Sequence, residues 1–287
     1  MNVFFQQVLN GLTLGSVYAL VALGLTLVYG ILHIPNFAHG ALYMVGAYVA
    51  FHLVRAAGLN YWAGMAGAAA AVAALAVLSD RLIFHRLRDA PPLHDMIAAI
   101  GLLLFLEAVV QAVWGAEFHR LPAPYPQIVR VFDLVAPAQR LIIIAAAFGL
   151  MAALHLFLTR TLTGSTIVAM AQNRDGAALV GIDATRVSVL TFAISGALAA
   201  VAATLFAPIN LIYPAMGNLV IMKAFVIIIL GGMGSIPGAI LGSMVIGFAE
   251  SFGAFYVSTN YKDIIAFALL VLILSLRPQG LFPGGAR

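Results

Sequence analysis

Cysteine is absent from the 287 residues, which excludes disulfides, zinc–thiolate sites and iron–sulfur clusters from the function. Charge is almost as scarce: Asp, Glu, Lys and Arg make up 8% of the chain, against about 25% in an average soluble domain. Lysine occurs only at Lys223 and Lys262, and neither stands in Gly-x-x-x-x-Gly-Lys-Ser/Thr, so the chain has no phosphate-binding loop with which to hydrolyse ATP. No Gly-x-Ser-x-Gly occurs either. Enzyme chemistry has no support in the sequence. The first Lys or Arg is Arg55, so the N-terminus lacks the flank of a cleavable signal peptide, and the first apolar run is expected to remain in the mature protein. The pI is high, near 9.6. Yet the basic residues come one to three per loop rather than in a run, and no nucleic acid is expected as a partner.

What is present is hydrocarbon. Hydrophobic residues reach 63% and the mean hydropathy is +1.07. Apolar runs lie near 8–31, 40–57, 62–79, 96–114, 141–158, 187–207, 219–230, 236–253 and 264–276, most of them close to the roughly 20 residues that cross a bilayer as a helix. A membrane barrel would alternate in polarity every second residue, whereas these runs are apolar all round. The expected fold is therefore all-α: a multi-pass membrane protein of eight or nine membrane-entering helical segments, some broken at Gly or Pro, over 1–287 as one membrane domain.

The densest basic stretch, "RLIFHRLR" at 81–88, is placed in the cytoplasm by the positive-inside rule. Alternation then sets 115–140 outside and 159–186 inside, with the C-terminus inside and the N-terminus outside. The outside loop carries Pro122, Pro124, Pro126 and Pro137, which favour extended or turn conformations. Two stretches, "YGILHIPNFAHG" and "GGMGSIPGAILG", share Gly-x-x-x-Ile-Pro-x-x-x-x-Gly. Each joins two apolar runs through a break, as in the interrupted helices of transporters, although two membrane turns can share so short a pattern by chance. Asn36 and His39 in the first break are expected to satisfy free backbone groups or to lie near a translocation path. His33 and His39 are six apart, without carboxylate or thiolate company, and no metal site is expected. Gly231 and Gly232 in the second break suit a mobile or path-lining turn. Gly234, Gly238 and Gly242, four residues apart, are expected on one helix face where another backbone can approach.

Few polar groups interrupt the runs. Glu107 lies inside "GLLLFLEAVVQAVWG" with Gln111 one turn later; it either lines a polar cavity or pairs with a neighbouring helix. Glu250, nearer a segment end, is expected at an interface, and Lys223 to snorkel toward one. The stretch "MAQNRDGAALVGID" is unusually polar for this chain. Asn173 can cap a helix over 174–180, Asp175 suits its first turn, Gly181 can end it, and Asp183 can cap the next span. A helix so short needs tertiary support. It is either an ordinary solvated loop helix or a handle for a partner.

Resemblance to a known family favours the handle. "DGAALVG" resembles a degenerate Glu-Ala-Ala-x-x-x-Gly motif of ABC importer permeases, with Asp175 for the Glu, Gly176 and Ala177 for the alanines and Gly181 for the Gly. The downstream Ile-x-Leu-Pro part of that motif is not matched. "NGLTLGSVYALVALGLTLVYGILHIPNFAHGALYMVGAYVA", "AMAQNRDGAALVGID" and "KAFVIIILGGMGSIPGAILGSMVIGFAE" resemble, in order, signature regions of the branched-chain amino acid ABC permeases of the LivH type. This implies a permease in the bacterial inner membrane with 163–183 as a cytoplasmic coupling segment, in which Gln172, Asn173, Arg174, Asp175, Gly176, Ala177 and Gly181 meet an ATPase. It also implies a second related permease, two cytoplasmic ATPases that hold ATP and Mg, and a periplasmic binding protein that selects the substrate. This chain would need no cofactor. The alternative is an ion-coupled secondary transporter of small polar solutes, with Glu107 and Glu250 as buried ion sites.

Overall fold

The computed structural model describes residues 2–32, 35–87, 90–131, 134–277 and 280–282. In chain order the helices are α1 (Asn2–Leu32), α2 (Ala38–Arg55), α3 (Tyr61–Ser79), a π-helical turn (Asp80–Phe84), α4 (His85–Leu87), α5 (Pro92–Trp114), α6 (Ala138–Arg160), α7 (Leu162–Gln172), α8 (Arg174–Leu179), α9 (Ala184–Phe206), α10 (Met216–Gly231), α11 (Ile236–Tyr256) and α12 (Lys262–Leu276). Six of them are long and apolar enough to cross a membrane, and α10 and α12 are shorter apolar helices. Every apolar run seen in the sequence is helical. The expected extended loop does form, and it contains an antiparallel hairpin of β1 (Ile128–Val131) with β2 (Leu134–Pro137).

The helix starts follow from local chemistry. The amide side-chain oxygen of Asn60 accepts from the Ala63 N–H at 2.7 Å ahead of α3, and the Ser235 hydroxyl accepts from Gly238 N–H at the start of α11. These caps satisfy donors that the first turn cannot pair internally. Pro237 fits the first turn of α11, where no N–H is needed. At the other end of α10 the carbonyls of Leu230 and Gly231 accept from the N–H groups of Leu281 and Phe282. The C-terminal segment thus pairs carbonyls a helix end leaves open.

α1 forms the core. Residues 19–25 on it are almost wholly buried, and it runs antiparallel to α11, with Gly11 against Phe248, Gly15 against Met244 and Gly247 against the Gly11 carbonyl. Small residues let these two backbones close up, the main source of helix affinity where lipid offers no hydrophobic contrast. α9 packs likewise on α2 and α3, through Gly46 on Ala200 and Gly196 on the Val72 carbonyl. The outer helices turn Leu93, Ile97, Leu104 and Phe105 of α5, and Phe148 and Leu156 of α6, outward, as a lipid-facing surface requires.

Two helices begin at mid-depth. The His39 ring, wholly buried at the start of α2, places Nε2 3.1 Å from the Val21 carbonyl oxygen and Nδ1 3.2 Å from the Ser195 hydroxyl. Val21 and Ser195 are central in α1 and α9. Gly40 in turn meets the backbone of Gly217, at the start of α10. α2 and α10 therefore start near the middle of the bundle, backbone against backbone, and leave it toward opposite ends. The connection into α10 is tied to the loop after α5 by paired hydrogen bonds between His119 and Ile212, 2.8 and 2.9 Å long.

Candidate functional site

A cavity of about 520 Å³ lies between α1, α10 and α11. Its lining includes Gln7, Asn10, Arg140, Ser251 and the exposed Phe255 and Thr259. These positions mark the beginning of α1 and α6 and the end of α11, so the cavity opens at the hairpin end of the bundle, opposite α7 and α8. Its rim is polar: Arg140 donates to the Asn10 side chain, Asn10 donates to Gln7 at 3.2 Å, and the Ser251 hydroxyl donates to the Gln7 backbone carbonyl at 2.8 Å. Three helices are joined by this chain of bonds.

The inner end carries charge. Lys223, 7% exposed, and Glu250, 2% exposed, form an ion pair at 2.9 Å. The Tyr18 hydroxyl donates to Glu250 at 2.8 Å and accepts from the Lys223 ammonium at 3.1 Å. Asp263, at the start of α12, accepts a third contact from Lys223 at 2.9 Å. Tyr43 also lines the cavity, and its wholly buried hydroxyl has no hydrogen-bond partner among the described residues. A lone charge among these helices would cost several kcal/mol, so the pairing is a condition of placing either residue there. Both sequence expectations for this pair are corrected. Glu250 is not at an interface and Lys223 does not snorkel, because each is the counter-ion that lets the other stay inside. Pairing across 27 residues leaves no local pattern. The available signal was that one of two lysines sits midway along an apolar run.

The other residues singled out in the sequence fall elsewhere. Glu107 is half-buried and accepts a long, 3.4 Å bond from the Asn218 side chain. Gln111 is exposed, and neither lines the cavity. The buried Asn36 side chain accepts from the Ala38 N–H at 3.1 Å; with His39 it serves the mid-depth start of α2. His33 lies outside the described residues.

The glycines exchange places. α11 starts at Ile236, so Gly234 lies before the helix, at φ +80° with open space around it, and not on a packing face. Ser235 and Pro237 fix that start. Gly231, expected in a turn, instead packs on the Gly238 backbone, while Gly242 meets the Ile227 carbonyl. Gly232 is the turn residue, at φ +103°.

At the far end, α8 projects a compact polar helix. The Asn173 side chain accepts from the Gly176 N–H at 2.8 Å, and Gly181, at φ +85°, lets the chain reverse. Asp183 then caps α9 through the N–H groups of Thr185 and Arg186. Gln172, Asn173, Arg174 and Asp175 are exposed, Gly176 is half-buried and Ala177 faces inward. Beside them Leu179 is 89% and Val180 76% exposed. Replacing Asn173 with Ala should cost about 1 kcal/mol locally, visible as faster amide exchange over 174–182 and unchanged exchange in α9; equal exchange in the variant would show that the cap contributes nothing.

A polytopic helical bundle with helices starting at mid-depth beside a charged cavity has the architecture of a membrane transport component. The chain belongs to the family described as "Branched-chain amino acid transport system / permease component", whose pattern matches residues 7–274. It is 38% identical to the Escherichia coli (strain K12) high-affinity branched-chain amino acid transport system permease protein LivH, over 97% of this chain and 95% of that one. The Pseudomonas aeruginosa permease protein BraD is equally similar, at 38% over the same shares. Escherichia coli LivM is 28% identical over 94% of this chain but only 69% of its own length. The fold resembles that of PsaBC from Streptococcus pneumoniae, solved in complex with Fab, at a TM-score of 0.53 and 14% identity, over 94% of this chain and 91% of that one.

Proposed function

We propose that this chain is the LivH-type permease subunit of an ATP-driven importer in the bacterial inner membrane, passing branched-chain amino acids delivered by a periplasmic binding protein. The observation that carries this reading is the full-length match to LivH and BraD; the longer LivM is the model for the second permease. Two cytoplasmic ATPases, holding ATP and Mg, would complete the assembly and supply the energy.

The geometry supports a division of labour. The cavity faces the end from which a binding protein would deliver substrate. The α7–α8 segment stands at the opposite end, where the exposed Asp175, Leu179 and Val180 give an ATPase both a charge and an apolar contact to hold. Closure of the ATPases would push on α8 and, through α7 and α9, on the bundle. The ion-coupled alternative drew on buried carboxylates. Glu250 is one, but it is held in an ion pair with Lys223, and the family carries the case for the importer.

Pull-down through a C-terminal tag from native membranes should recover a second permease and two ATPases. Asp175→Lys, which reverses the charge of the handle, and Gly181→Val, which strains a left-handed turn, should each reduce ATPase recovery at least fivefold with the chain still inserted. Wild-type recovery with both variants would remove the coupling role from α8.

A further inference from the structure

The inner end of the cavity has the composition of a receptor for a doubly charged, net-neutral guest. Lys223 holds more partners than it needs for neutrality, contacting Glu250, Asp263 and the Tyr18 hydroxyl. Of the two carboxylates, Glu250 is buried and lines the cavity, whereas Asp263 has a side chain 37% exposed and does not line it. Asp263 can therefore leave for water at little cost, while Glu250 cannot. The unpartnered Tyr43 hydroxyl supplies a further donor inside the same cavity. Leu14, Val17, Ile209, Met216 and Val220 form an apolar wall beside it. The volume of about 520 Å³ falls within the roughly 300–1,000 Å³ range of small-molecule sites.

Resting on the importer reading, we infer that Lys223, Glu250, Tyr18 and Tyr43 form a binding site for the charged head of an α-amino acid within this permease. The substrate carboxylate meets the Lys223 ammonium on its cavity side, drawing it from Asp263, and accepts from the Tyr43 hydroxyl. The substrate ammonium donates to Glu250, and the aliphatic side chain lies on the Leu14–Val17–Val220 wall. Each buried charge stays compensated throughout the exchange: Lys223 trades one carboxylate for another, and Glu250 shares its charge between two ammonium groups. A solute with a single charge breaks this balance. A carboxylic acid brings an extra anion beside Glu250, and an amine brings an extra cation beside Lys223, so discrimination comes from charges left unpaired.

Two measurements on the assembled complex, with both permeases and both ATPases, test the site. Without binding protein, the wild type should bind leucine saturably in the millimolar range or tighter. The analogues that lack the amine or the carboxylate, 4-methylpentanoate and 3-methylbutylamine, should compete at least tenfold more weakly. Saturable leucine binding that is absent, or that both analogues match, overturns the assignment. In proteoliposomes, K223M/E250L removes both buried charges together and leaves Asp263, whose side chain is 37% exposed, to water. With both ATPases still co-purifying, leucine uptake should fall at least tenfold; wild-type uptake overturns the assignment. If the double variant does not assemble, the competition series on the wild type decides. A wild-type complex that carries other solutes but no branched-chain amino acid would sink the importer's substrate reading and this site with it. One that carries leucine yet fails the competition test would sink the site alone.

Discussion

Lys223→Met should destabilise the permease by about 3–5 kcal/mol, the cost of stranding one member of a buried ion pair. Glu250 would keep the Tyr18 hydroxyl as donor but would lose its counter-ion in a setting where it is 2% exposed. Removing the second charge as well, in Lys223→Met with Glu250→Leu, should recover most of that loss, because the one ion then left unpaired, Asp263, has a side chain 37% exposed and can be solvated. Thermal unfolding of the detergent-purified chain measures both. A double variant no more stable than the single one would show that the two charges are not energetically coupled.

The second large effect is steric. A Cβ on Gly40 would stand 2.6 Å from the Gly217 carbonyl oxygen and 2.8 Å from the Ile221 Cβ. Neither atom is the free end of a flexible side chain, so Gly40→Val has to part α2 from α10. Overpacking costs typically 1–3 kcal/mol, and a contact made of backbone places this variant at about 3 kcal/mol. Gly101→Ala is the control, since nothing lies within 4 Å of its added carbon and Ala is the better helix former by up to about 1 kcal/mol. The expected result is a lowered unfolding midpoint for the first and an unchanged or raised one for the second. Equal midpoints would mean that the two helices are not held in register by this contact.

How much of this was legible beforehand divides along a physical line. Helix number and extent follow from the apolar runs, because in lipid every backbone group must pair within its own segment and a run of the right length has one available structure. Local punctuation was equally readable: Asn173, Gly181 and Asp183 act within three residues of themselves. The cavity was not readable, since Tyr18, Lys223 and Glu250 meet from three helices, and Tyr18 and Glu250 are 232 residues apart. Glu107, the most conspicuous intramembrane acid in the sequence, faces Asn218 instead. Spacing also misplaced Gly234, because a four-residue period describes a helix face only where the helix has begun, and Ser235 and Pro237 begin it later.

The ion pair also constrains how the chain can be made. Lys223 precedes Glu250 by 27 residues, so α10 meets the translocon ahead of the helix that carries its counter-ion. An isolated lysine at a helix centre opposes membrane insertion by about 2.5–3.5 kcal/mol. α10 has only 16 residues and begins at the level of Gly40, with no full-length apolar stretch to offset that cost. Its entry must therefore await α11, and the two helices pass from translocon to lipid as one hairpin, the lysine neutralised on the way. A nascent chain ending before Glu250 should leave α10 outside the membrane, whereas one extended through Tyr256 should integrate both.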